Sequence, residues 1–68
     1  MEYVIVRFRE TRTVLIDGYN SGLTNETLMI NDGLHTFSLK GPADFSPYEH
    51  TVEVEDTTGI KPMEVFFA

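Results

Sequence analysis

The feature that most limits this chain is how often it is interrupted. Clusters of Gly, Asn, Asp, Ser and Pro break it at roughly eight- to twelve-residue intervals, the spacing of an all-β domain. The apolar residues between the breaks alternate with period two, as in Tyr3-Val4-Ile5-Val6-Arg7-Phe8 and Val52-Glu53-Val54-Glu55. No segment sustains a helical period, so no helix longer than about one turn is expected. About six short strands follow from the pattern, and the fold expected is all-β: a small antiparallel β-sandwich with no substantial helix.

Taken in order, Glu2–Arg9 is the first strand, with Val4, Val6 and Phe8 on one face. Glu10-Thr11 reverses the chain, and Arg12–Asp17 returns beside the first strand as a hairpin. Asp17–Gly22 is a loop, with Asp17-Gly18 as a strong turn signal and Gly22 free to take positive φ. Thr27–Ile30 is a short strand. Asn31-Asp32-Gly33 then forms a hairpin turn into His35–Lys40, whose His35, Phe37 and Leu39 share a face. Gly41–Pro47 is a loop anchored on the core edge by Phe45 and Tyr48. Glu49–Glu55 is a strand with Val52 and Val54 inward, Asp56–Gly59 a turn, and Ile60–Phe67 the last strand, with Pro62 marking it as an edge.

Sixty-eight residues make one domain, residues 1–68. A chain of this length buries only about 60% of the surface it exposes unfolded. There is no cysteine, which excludes disulfides and thiolate metal sites and suits both a cytoplasmic protein and part of an exported one. The first residues have no basic start before their short apolar run and do not read as a secretory signal. No run approaches the roughly 20 apolar residues that span a bilayer. A net charge of −6 makes nucleic acid and anionic membrane poor partners.

The stretch Leu15-Ile16-Asp17-Gly18, Gly22-Leu23-Thr24-Asn25, Leu28-Met29-Ile30 and Asp32-Gly33-Leu34-His35-Thr36-Phe37, followed by the loop and strand Tyr48–Val54, resembles the PEGA domains. Their pattern is a strand ending in Ile-Asp-Gly, then Gly-x-Thr-Pro, a short strand, a Pro-Glu-Gly-Ala-like turn, and His-Thr-Val entering a strand. The likeness covers about Arg12–Phe67. Asn25 stands where the pattern has proline, Asn31–Leu34 keeps only the acid and the glycine of the namesake turn, and Tyr3–Arg9 is longer than the pattern needs. The resemblance implies a small β-sandwich module of the kind attached to other domains in bacterial and archaeal proteins. It implies no catalytic residue.

The chemistry-bearing residues support the same expectation. His35 reads as a half-buried brace on loop carbonyls rather than a base beside Asp32, and His50 as a surface residue beside Glu49. Asp17-Gly18-Tyr19-Asn20 lacks calcium-loop spacing, so no metal and no cofactor are expected. The serines lack a nucleophile-elbow context. Arg7 and Arg9, with Arg12, form a candidate cationic patch, with cross-strand pairing to Glu53 and Glu55 as the competing reading. Tyr19, Asn20 and Ser21 are the candidate binding tip, a mixture suited to protein or sugar surfaces, unless Tyr19 folds back onto the core. Phe66 and Phe67 alternate in facing, so one of them should be exposed.

The function expected is a non-catalytic interaction or structural module with a protein partner. The alternatives are self-association through Tyr3–Arg9 or Ile60–Phe67, and a carbohydrate-binding module using the 17–22 loop.

Overall fold

The computed structural model describes the whole chain, residues 1–68. Seven strands form: β1 (Glu2–Arg7), β2 (Thr13–Ile16), β3 (Tyr19–Leu23), β4 (Thr27–Ile30), β5 (Gly33–Leu39), β6 (His50–Val54) and β7 (Met63–Phe66). They build a three-stranded sheet in the order β4-β1-β7 and a four-stranded sheet in the order β3-β2-β5-β6. The architecture is all-β, as the alternation predicts.

Alternation also places the core. Val4 and Val6 of the first sheet and Val14, Ile16, Phe37, Leu39 and Val54 of the second are buried between them. Val65, Phe8 and Phe67 complete one end, where Phe45 packs edge-on against Phe8 and Phe67. Phe45 thus anchors the loop after β5 on the core edge as expected, whereas Tyr48 stacks on Phe45 from outside and is 68% exposed.

The pairing differs from the sequence expectation. β1 and β2 do not form a hairpin, because residues 8–12 carry the chain from one sheet to the other. β1 instead pairs antiparallel with β4 and parallel with β7. Glu10-Thr11 offers no residue suited to positive φ, so nothing local enforces a two-residue reversal. The Asn31-Asp32-Gly33 hairpin is also absent, since β4 and β5 lie in different sheets. Gly33 has φ +123°, but Asp32 has no positive φ, so the paired left-handed residues of a tight hairpin are missing.

That geometry occurs at the other Asp-Gly. Asp17 (φ 54°) and Gly18 (φ 86°) are both left-handed, and Ile16 pairs directly with Tyr19. This is the tight turn for which Asp-Gly is suited. The expected loop of residues 17–22 is therefore mostly strand β3. A bulge lies within the pairing, where Val14 faces Gly22 and Leu15 faces Asn20. Gly22 suits this place because its φ of 145° is a conformation that L side chains rarely adopt, and a Cβ there would also press on Leu28 of the opposite sheet.

The last strand starts at Met63 rather than Ile60, and Ile60 is 94% exposed. Phe66 is exposed and Phe67 buried, the division their alternation requires.

Two neighbouring crossovers hold the sheets in place. Residues 8–12 pass from the first sheet to the second, and residues 24–26 pass back beside them. Thr24 is buried; its N–H donates to Arg12 O (2.9 Å), and its hydroxyl accepts from Arg12 N–H (2.8 Å) and donates to Glu10 O (2.8 Å). Asn25 adopts φ 64°, a region that asparagine tolerates better than most residues. Its N–H donates to Val6 O (2.7 Å), its amide nitrogen donates to Phe8 O (3.0 Å), and its amide oxygen accepts from Phe8 N–H (3.2 Å).

Asn25→Ala removes both amide bonds and leaves an alanine at positive φ, so it should cost about 2 kcal/mol or more. Asn25→Gly keeps the conformation and should cost less. Urea unfolding of both variants checks this; an unchanged midpoint in Asn25→Ala contradicts the clamp.

Candidate functional site

Most of the residues with chemical potential are engaged in bracing connections between strands. His35, at the start of β5, directs Nδ1 to Asp17 Oδ2 (2.7 Å) and Nε2 to Asn31 O (2.8 Å). Both partners are acceptors, so only the doubly protonated imidazolium can donate to both. The other oxygen of Asp17 accepts from Thr36 N–H (2.9 Å). The Thr36 N–H holds the Asp17 carboxyl below its usual range, with His35 adding to the effect. The Asp17 carboxylate in turn raises the His35 pKa. His35 is a brace, as expected, but its carboxylate partner is Asp17 and not Asp32.

His50 is not on the outward side. It shares the face of Val52 and Val54, packs edge-on against Phe67 (5.2 Å between centroids), and brings Nε2 to 2.9 Å from Phe66 O. Strand alternation puts it there, because His50 is in phase with Val52 and Val54.

The arginines do not form one patch, and none pairs with Glu53 or Glu55. Arg7 bonds Glu64 (2.9 Å) on the outer face of the three-stranded sheet. Arg9 donates to Asp44 Oδ2 and to Asp44 O, both at 3.0 Å, with its guanidinium 4.5 Å from the Phe8 ring centre. Arg12 bonds Asp44 Oδ1 (2.6 Å), Glu10 Oε2 (2.9 Å) and Pro42 O (3.2 Å). Hydrogen bonds from Arg12 hold the Asp44 carboxyl below its usual range, and those to Asp44 and Glu10 raise Arg12 further. The cluster fastens the 40–49 connection over Phe8.

The Tyr19–Asn20–Ser21 tip is likewise divided. Tyr19 pairs with Ile16 and Asn20 with Leu15, so their side chains leave opposite faces of β3. Ser21 donates its hydroxyl to Tyr19 O (2.9 Å). Tyr19 is 76% exposed and does not fold back on the core.

Apart from Tyr19, Leu34 and Tyr48, the exposed apolar side chains of the strands lie mainly on the outer face of the three-stranded sheet, around the Arg7–Glu64 pair. The register aligns Met29, Tyr3 and Ile5 of β4 and β1 with Glu64 and Phe66 of β7 on that side. Met29 and Phe66 are more than 60% exposed. The segment after Asp56 rises beside this face and leaves a groove of about 630 Å³ lined by Ile5, Arg7, Thr27, Ile60, Lys61 and Glu64. Its base is fixed by Glu2, which accepts from Thr57 N–H (2.8 Å) and hydroxyl (2.7 Å). Those two bonds lower the Glu2 pKa. The sequence reading missed this face because it depends on β1 lying between β4 and β7, a pairing with no local signal.

Compared with models of known protein families, with curated proteins and with solved structures, the chain matches none.

The His35 contribution to stability is fully present below its unfolded-state pKa of about 6.5 and is lost as pH rises through its higher folded value. Asp17 acts in the opposite sense: its contribution is present above about 3.9 and is lost as pH falls through its lower folded value. The melting temperature should therefore fall as pH is raised from about 6 towards 9. Asp17→Asn should flatten that decline. Thermal melts across the range check this, and a flat wild-type profile contradicts it.

Proposed function

We propose that the chain is a PEGA-like β-sandwich module that acts by non-catalytic contact with another protein, through the outer face and free edge of its three-stranded sheet. One observation carries this reading: His35, Asp17, Arg9, Arg12, Asp44, Thr24 and Asn25 are engaged in holding strand connections, while Met29, Phe66 and Ile60 are exposed with no structural duty. Exposed apolar side chains grouped on one face suit a protein contact.

Two features bear on the family resemblance. The Ile16-Asp17-Gly18 and His35-Thr36 motifs of the pattern are in contact, through the His35–Asp17 bond. Asn25, in the pattern's proline position, has φ 64° and donates from its N–H, neither of which proline can do. The crossover is thus held here by an amide clamp.

Size favours use of the edge together with the face over docking on the face alone, whichever chain docks. A standard interface takes about 800 Å² from each side, whereas three strands of four residues present roughly 14 by 13 Å. Pairing through Tyr3–Arg9 has no free edge to use, since β1 is the central strand. Pairing through β7 meets an edge covered at its C-terminal end, by His50 at Phe66 O and by Ser46 bonded to Ala68 just beyond the strand.

The test is site-specific photo-crosslinking in the cell that makes the protein. A photoreactive residue at Met29 or Phe66 should yield a discrete adduct with another protein, and one at Tyr19 or Leu34 should not. No adduct at either face position contradicts the reading, and an adduct of twice the 7.7 kDa chain mass favours self-association.

A further inference from the structure

The two sheets have four edge strands, β4, β7, β3 and β6. Exposed edges invite pairing with other chains, and proteins normally blunt them with bulges, charges or covering segments. Three edges here carry such a device. β7 is covered at its end, where His50 meets Phe66 O and Ser46 exchanges two hydrogen bonds with Ala68 (2.9 and 2.8 Å). β3 is bulged and contains Gly22. β6 carries Glu53 and is flanked by Glu49 and Glu55.

β4 carries none of these within the strand, and its only charges flank it. It reads Thr27-Leu28-Met29-Ile30, without charge, proline, glycine or bulge. In β1, the carbonyl of Val6 points to the β4 side, where Asn25 bonds it, and the carbonyl of Arg7 points to the β7 side, where Phe67 bonds it. Strand alternation then gives Val4 and Glu2 to β4, so Leu28 and Ile30 bond β1. Thr27 and Met29 direct their N–H and C=O outward, and no backbone bond outside the strands involves them.

The charges at the ends of this edge are of one sign. Glu26 precedes β4 and Asp32 follows it, both exposed. Of the nearby cations, Arg7 is held by Glu64, and Lys61 lies in the groove beside Thr27. The whole chain carries −6. A second copy would bring like charges together at both ends of the pairing, whereas a strand with basic ends would meet opposite ones.

We propose that β4 is a β-augmentation site that takes an extended, alternating apolar segment flanked by Lys or Arg from another protein. This rests on reading the chain as an interaction module and names the edge and the chemistry of the partner. The added strand bonds the outward groups of Thr27 and Met29, which gives affinity without a large buried face. Its side chains on the outer face continue the rows of Met29 with Tyr3 and of Thr27 with Ile5. Its basic ends lie near Glu26 and Asp32 and select it over acidic strands.

The test follows the backbone amides of the intact chain by NMR. The probes are a short peptide of alternating Val and Thr with Lys at both ends, the same peptide with Glu ends, and an N-methylated version of the first. The Lys-ended peptide should slow hydrogen exchange at Thr27 and Met29 by about tenfold or more and bind more weakly as salt is raised. The Glu-ended and N-methylated peptides should bind at least about tenfold more weakly, through charge repulsion and loss of donors. Met29→Pro, which removes an outward N–H at an edge, should abolish binding with little change in melting temperature.

No response at Thr27 and Met29, or an equal response to the Glu-ended peptide, overturns the proposal. Protection of these amides that rises with protein concentration alone gives the edge to a second copy and also overturns it. Failure here with crosslinks retained at Phe66 removes the β4 site and leaves the module reading; failure of both removes both.

Discussion

A sandwich this small depends on how its chain changes sheets. Residues 8–12 leave the three-stranded sheet and residues 24–26 return to it, so two stretches of irregular backbone run side by side at one end of the core. Backbone polar groups there must find partners other than a ladder. Thr24 and Asn25 supply them, with one buried hydroxyl and one amide bonding Arg12, Glu10 and Phe8, and two backbone N–H groups bonding Arg12 and Val6. The left-handed turn at Asn25 aims its amide at Phe8, and Phe8 closes one end of the core. The same pair thus fixes the angle between the sheets and seats a core aromatic.

The other connections follow the same logic. His35 ties the link after β4 to the β2–β3 turn. Glu2 and Thr57 tie the link before β7 to β1. Arg9, Arg12 and Asp44 tie the link between β5 and β6 to the first crossover. In a domain with only ten buried apolar residues in its core cluster, polar bracing of connections stands in for a larger interior. The consequence for function is that the charged and aromatic residues that first suggest a site are mostly engaged. Uncommitted apolar backbone and side chain lie on β4 and beside it, with Tyr19 and Leu34 exposed on the other sheet.

How much of this is legible in the sequence follows from range. Facing is local, so alternation correctly assigns Val4 and Val6, Phe37 and Leu39, and Val52 and Val54 inward, and divides Phe66 from Phe67. Turn chemistry is only partly local: Asp17-Gly18 makes the turn it signals, whereas Asp32-Gly33 does not make a hairpin. Pairing is not local. Nothing in Tyr3–Arg9 states that its neighbours are β4 and β7, and a turn-like Asn31-Asp32-Gly33 fits a change of sheet as well as a hairpin. The candidate tip is divided for the same reason: Tyr19 and Asn20 are adjacent in sequence but leave opposite faces once residues 19–23 pair as a strand. Arg7 and Arg9 are close in sequence, yet one lies on the outer face of the three-stranded sheet and the other over Phe8.

The central claim is that the Thr24–Asn25 clamp holds the two sheets as one cooperative unit. Native-state hydrogen exchange of the Phe8, Arg12, Thr24 and Asn25 amides tests it most directly, because each donates within the clamp. If the account is right, these amides exchange only by global unfolding, as slowly as the central amides of β1 and β2 and with the same denaturant dependence. Fast exchange at the clamp while β1 and β2 stay protected would contradict it, since the sheets would then hold together without the crossovers.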